Sequence, residues 1–186
     1  MILYVNGDSH SAGAEAVNNY CFAEDDSKYF YLRRKPHPEN LAVSFSAILA
    51  NLLQARLYCD AESAASNDRI VRTTQEFLKG NYRKQVKEEV FVLIGWTTWE
   101  REEWLHNNQY YNVMVGWYKH LPEQLLSKYN SWAEQQDYDT LVKKSCLVHE
   151  QIHRLHRLLE ACSIPHLFFN CMYDFQGVAK NMQYNW

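Results

Sequence analysis

Gly7-Asp8-Ser9 follows directly on the apolar run Ile2-Leu3-Tyr4-Val5, with Asn6 between them, and continues as His10-Ser11-Ala12-Gly13. A short apolar run bounded by turn residues reads as a buried strand, so the Ser9 hydroxyl falls at a strand's carboxyl end. In an open α/β sheet that edge is where ligands and chemistry gather. A helix beginning there offers backbone N–H donors and a positive dipole end to developing negative charge. Ser9 is therefore a candidate nucleophile. The same Asp8-Ser9 pair is also a good helix N-cap, which is the plainer reading.

A second group with chemical spacing is His149-Glu150-Gln151-Ile152-His153. On a helix the imidazoles of His149 and His153, at i and i+4, share one face. With Zn²⁺ between them, Glu150 would act as general base in a metal-assisted hydrolysis. The downstream third ligands are His156, Glu160 and His166, and His156 crowds the same helix. Arg154 and Arg157 favour the plainer reading, a solvated helix face of His, Arg and Glu. There is no glycine-rich phosphate loop, which disfavours nucleotide binding. Arg33-Arg34-Lys35 is a short basic run of the kind usually found in a solvated loop.

These groups need a scaffold. Ile2–Val5, Arg56–Cys59, Val90–Ile94 and His166–Phe169 read as buried parallel strands. Helical periodicity lies between them, at Leu41–Leu53 with Leu41, Phe45, Ile48, Leu49 and Leu52 on one face, and at Asp68–Leu78. A long amphipathic helix, Leu141–Cys162, stops before Ser163-Ile164-Pro165. Strand alternating with helix predicts an α/β three-layer sandwich, with a central parallel sheet of four or five strands and helices on both faces. Asn18–Pro38 reads as a long loop, and the aromatic-rich stretch Trp99–Tyr138 as a helical insertion covering one side of the sheet. Thr97 and Thr98 are candidate caps for a helix beginning at Trp99. In Asn67-Asp68-Arg69, Asp68 and Arg69 are placed to form a local salt bridge.

At 186 residues the chain has the length of one domain. A net charge of −3 gives no bulk attraction to nucleic acid or an anionic membrane. No apolar run reaches the roughly 20 residues that span a bilayer. Asn6-Gly7-Asp8 interrupts any signal-peptide core at once. Five scattered cysteines, with no Cys-x-x-Cys pair, read as reduced thiols and suggest a cytoplasmic protein.

Asn6-Gly7-Asp8-Ser9 after an N-terminal strand resembles the first motif of the SGNH (GDSL-type) hydrolases, whose flavodoxin-like fold agrees with the strand pattern. The resemblance implies an ester hydrolase, acyl or acetyl, acting on a small-molecule or carbohydrate ester without a cofactor. It implies Ser9 as nucleophile, with Ser9 N–H, Ala64 N–H and the Thr97 hydroxyl holding the oxyanion. Ala64 stands where the family has glycine and Thr97 where it has asparagine; Asp8 and Asn67 fall beside the substrate. The family's fourth motif, Asp-x-x-His, has no counterpart: no histidine follows His166, and Asp174 precedes Gly177 at that spacing. His10, His37 and His106 are the alternative sources of a base, and a chain cut short of its last strand would also explain the gap. Asn6–Gly13, Ser66–Ile70, Ile94–Thr98 with Glu100-Arg101, and His166–Phe175 are similar to SGNH-like proteins of tailed bacteriophages, particularly those of cyanobacteria. That implies a host-cytoplasmic or virion location. A non-catalytic binding or virion-associated protein on the same scaffold is the alternative that keeps the fold.

Overall fold

A computed structural model describes residues 1–81 and 89–172. In chain order, strand β1 (Ile2–Asn6) leads into the single turn α1 (Ser9–Ala12), then α2 (Pro38–Val43), α3 (Phe45–Leu52), β2 (Arg56–Cys59) and α4 (Asn67–Asn81). Next come β3 (Val90–Trp96), β4 (Glu102–His106), β5 (Gln109–Val113), α5 (Glu123–Glu134), α6 (Tyr138–Ala161) and β6 (His166–Asn170). The chain is α/β, with a central four-stranded sheet in the order β2-β1-β3-β6, parallel throughout and flanked by helices.

Alternate residues of the central strands β1 and β3 enter two different cores, as a pleated strand buried on both faces requires. By contrast β2 and β6, expected to be buried, are edge strands with no fully buried residue. Ile2, Tyr4, Val92, Ile94 and Trp96 pack with Ile70 and Phe77 of α4 and with Ile152, Leu155 and Leu159 of α6. Leu3, Val5 and Leu93 pack on the opposite face with Ala50 and, partly, Leu49 of α3. The order places β2 on one side of β1 and β3 on the other. The strand order therefore switches direction between β1 and β3, and the carboxyl ends of those two strands are where such sheets place their ligands.

Three expectations are corrected. The helix expected over Leu41–Leu53 is two helices, because Ser44 sits extended between them; its hydroxyl accepts from Ala47 N–H at 3.3 Å and donates to the Leu41 carbonyl at 2.7 Å. The buried face of the second helix is Ser46 and Ala50, while Ile48 and Leu52 are exposed. Close approach to α1, through a 2.8 Å bond from Ser46 Oγ to the Ser11 carbonyl, admits only small side chains there.

The aromatic stretch is not a helical insertion. It opens with the antiparallel hairpin β4–β5, and its α-helical residues are Glu123–Glu134 and Tyr138, where α6 begins. Asn107 and Asn108 form the two-residue turn with φ of 48° and 61°, the positive values that twist-matched hairpin turns require and asparagine tolerates. The hairpin has its own apolar cluster with α5, built on Trp104, Val113, Leu121, Leu125 and Tyr129.

Finally, Arg69 does not pair with Asp68. It reaches Glu62 at 2.9 Å and the Asp60 carbonyl at 2.8 Å, while Asp68 accepts from Gln151.

Candidate active site

The edge is built first by β1. Asn6 is fully buried and bonds the Ile70 carbonyl and the Thr73 and Thr74 hydroxyls of α4, while its Oδ1 accepts from Gly7 N–H. It fixes the level at which β1 ends. Gly7 has φ of 155°, and a Cβ there would lie 2.3 Å from Ser11 Oγ and 3.0 Å from the Gly95 carbonyl oxygen. Only glycine lets the chain turn this tightly against β3. Asp8 follows as the N-cap of α1, accepting the His10 N–H, and its side chain is fully buried. Ser9 is half-buried at the turn, and its hydroxyl makes no hydrogen bond among the described residues.

The two carboxylate oxygens of Asp8 have different partners. Oδ1 meets His10 Nδ1 at 3.3 Å, and Oδ2 accepts from Thr97 Oγ1 at 3.1 Å. Arg101 NH1 stands 3.6 Å from the same Oδ2 and donates to Thr97 Oγ1 at 2.9 Å and to the Ala65 carbonyl at 3.3 Å. Asp8 is thus a buried anion compensated by one guanidinium, one hydroxyl, one backbone N–H and one imidazole. His10 itself is largely exposed.

The other residues expected at the site stand as follows. Thr97 is buried, and its one proton is given to Asp8. Thr98 caps a turn, accepting the Glu100 N–H at 3.2 Å, and that turn leads into strand β4 where a helix was expected. Asn67 is buried; its amide donates to the Thr97 and Thr98 carbonyls and accepts the Thr97 N–H at 3.0 Å. It therefore shapes the loop after β3 and holds no free group toward a substrate. Ala64 is the third residue of a turn closed by Ala65 N–H to the Glu62 carbonyl at 3.0 Å, and has φ of 61°. That conformation is the one glycine favours. Its own N–H has no acceptor among the described residues. A bond from Glu62 N–H to the Gly7 carbonyl, at 3.1 Å, brings this turn beside the end of β1.

Of the alternative bases, His10 alone lies at this edge. His37 is buried between Asp26 and Asn18 and stacks on Tyr20, pinning the long loop. His106 is at the far end of the hairpin beside Asn107. Asp174, Gly177 and the segment through Phe175 lie outside the described residues.

The family model that matches this chain describes a family of unknown function, DUF6071, and its match runs over residues 33–175, more than half the sequence. The chain belongs to that family. The DUF6071 match takes in Ala64, Asn67, Thr97, Arg101, His149 and His153, and begins after the Asp8-Ser9-His10 turn. No curated protein and no solved structure matches the chain.

Away from the edge, this DUF6071 chain places His149 and His153 on α6, as the spacing predicts, but His149 is buried instead of solvated. Burial and the neighbouring His153 hold His149 below the ordinary imidazole value. Among the described residues no group of three or more His, Cys, Asp or Glu side chains is arranged to hold a metal ion. No described helix is long and apolar enough to cross a membrane.

Sequence reasoning did not single out Arg101 or Glu62. Glu62 is the hub of a second polar cluster, receiving Arg34 Nε at 3.0 Å, Arg69 at 2.9 Å and Asn112 of β5 at 3.0 Å. The basic run is thereby attached to the edge, Lys35 pairing with Asp60 at 2.8 Å. Arg101 entered the sequence analysis only within the Glu100-Arg101 pair of the family resemblance, with no role given to it.

Proposed function

We propose that the protein is a serine ester hydrolase of the SGNH type, acting on an acyl or acetyl ester of a small molecule or carbohydrate. The observation that carries this reading is the division of the buried Asp8 carboxylate between His10 Nδ1 and Thr97 Oγ1, beside a half-buried Ser9. A carboxylate on Nδ1 fixes that nitrogen as the donor and leaves the Nε2 lone pair as the basic one, the logic of an acid-oriented imidazole. Ser9 Oγ bonds to the ester carbonyl carbon while its proton passes to His10 Nε2, and the carbonyl π pair moves onto oxygen. The Ser9 and Ala64 N–H groups are the donors for that oxyanion. Collapse expels the alkoxide, which takes the proton from His10. Water then releases the acyl group by the same steps.

A second reading keeps the scaffold without the chemistry: a binding or virion-associated protein. It is favoured by Thr97, whose hydroxyl is engaged by Asp8 and Arg101 and so does not fill the role of the SGNH asparagine. Resemblance to proteins of tailed bacteriophages puts either reading in a host cytoplasm or a virion.

A fluorophosphonate probe separates the two. Labelling of the wild type at Ser9, absent in Ser9→Ala, is the expected result for the hydrolase. Folded protein that never labels overturns it.

A further inference from the structure

Arg101 and Arg72 both present a guanidinium to acidic groups near the sheet edge, but they use it differently. Arg72 places its Nε–NH2 edge on Glu103, with Nε to Oε2 at 2.7 Å and NH2 to Oε1 at 2.6 Å. This is the two-point pairing that a planar guanidinium offers to a carboxylate or phosphoryl group. Arg101 turns NH1 inward, to Thr97, Ala65 and Asp8. Among the described residues its Nε is buried without a hydrogen-bond partner, and NH2 meets the Met172 thioether at 3.7 Å. A thioether is a weak acceptor.

The side chain is about 10 % exposed. A buried N–H without an acceptor keeps the full penalty of its lost hydration. Asp8 does not relieve that cost, because its oxygens face NH1, Thr97 and His10. Met172, lying over the NH2 end, is half-exposed and unbranched, so it can swing aside.

We propose that the Nε–NH2 edge of Arg101 is the anion receptor of this site, taking a carboxylate or phosphoryl oxyanion of the bound ligand in place of the Met172 sulfur. The substrate of the edge is then an acidic molecule, and Arg101 fixes its orientation beside Ser9. The proposal rests on reading this edge as a ligand site and does not require Ser9 to be a nucleophile.

The test uses the whole chain carrying Ser9→Ala, with acetate and inorganic phosphate as probes, followed by ¹H–¹⁵N spectra of arginine side chains. The Arg101 Nε–H resonance, assigned by its loss in Arg101→Lys, shifts saturably as either anion is added. In Arg101→Lys, which keeps the charge and lacks the fork, affinity read from the Ser9→Ala backbone amides falls roughly tenfold. Met172→Ala, at a surface position, tightens binding. An Arg101 Nε–H that does not move, or equal affinity in Arg101→Lys, overturns the proposal. Fluorophosphonate labelling of the chain with Ser9 intact is scored separately, so loss of the hydrolase reading leaves this result standing.

Discussion

Thr97 Oγ1 donates a 3.1 Å hydrogen bond to Asp8 Oδ2, joining the loops after β1 and β3 across 89 positions of sequence. Both residues are buried, so neither has water to replace the other. Thr97→Val keeps the shape and removes the donor. It is expected to lower unfolding free energy by about 1–3 kcal/mol in urea titrations, with Thr97→Ser restoring most of it. Equal stability of the valine variant would mean the bond contributes nothing.

Ala64 holds φ of 61°. Left-handed backbone costs an alanine about 1–2 kcal/mol, and glycine returns about 0.4–1 kcal/mol of that through its looser unfolded state. Ala64→Gly should therefore stabilise the fold by roughly 0.5–1 kcal/mol. Thermal and chemical denaturation both report it, and a destabilised variant would contradict the turn geometry.

His10 is 59 % exposed, so its replacement touches little of the core. His10→Asn is expected to leave the melting temperature unchanged while lowering fluorophosphonate labelling or ester turnover about 10²–10⁴-fold. Undiminished labelling would remove His10 as the base and leave Ser9 in need of another.

Glu102 accepts from Trp104 Nε1 at 2.9 Å and Trp132 Nε1 at 2.8 Å and pairs with Lys144. Burial by itself would push its carboxyl up, but the bonds from Lys144, Trp104 and Trp132 outweigh burial and hold it below the ordinary glutamate value. The sign follows from the lower folded value: the contribution is complete above the unfolded value, about pH 4.3, and is lost as pH falls through the folded one. Tryptophan emission should report loosening around Trp104 and Trp132 in that acid range. Glu102→Gln should flatten this pH response.

The four sheet strands were legible because each is a nearly unbroken apolar run with polar residues at its ends; Arg56–Cys59 has the expected bounds and the other three extend by one or two residues. The long helix before Pro165 was legible for a similar reason, since apolar periodicity and a proline stop agree. Ser44 hid its effect because an isolated serine inside helical periodicity gives no sign that it will cap two helices at once. The hairpin was hidden by its aromatics, which suit a helix face or a strand, although Asn107-Asn108 between two five-residue runs was the readable clue. At the site, Asp8 and Ser9 announced themselves by motif. Arg101 did not, because two of its partners, Asp8 and Ala65, come from other loops that only the parallel order β2-β1-β3 brings to one edge.

The small apolar cluster of Trp104, Val113, Leu121, Leu125 and Tyr129 is separate from both sheet cores. The hairpin holding it reaches the sheet region through polar ties, Asn112 to Glu62 and Glu103 to Arg72, and through Arg72 stacked 3.8 Å over the Tyr110 ring. Such a lobe melts on its own schedule, and amide exchange should find it opening before β1 and β3. Each opening removes Asn112 from Glu62 and leaves Arg34 and Arg69 to share that carboxylate alone. The turn that carries Ala64, tied to the end of β1 by the Glu62 N–H to Gly7 carbonyl bond, is thereby coupled to the opening of a lobe that lies outside the sheet.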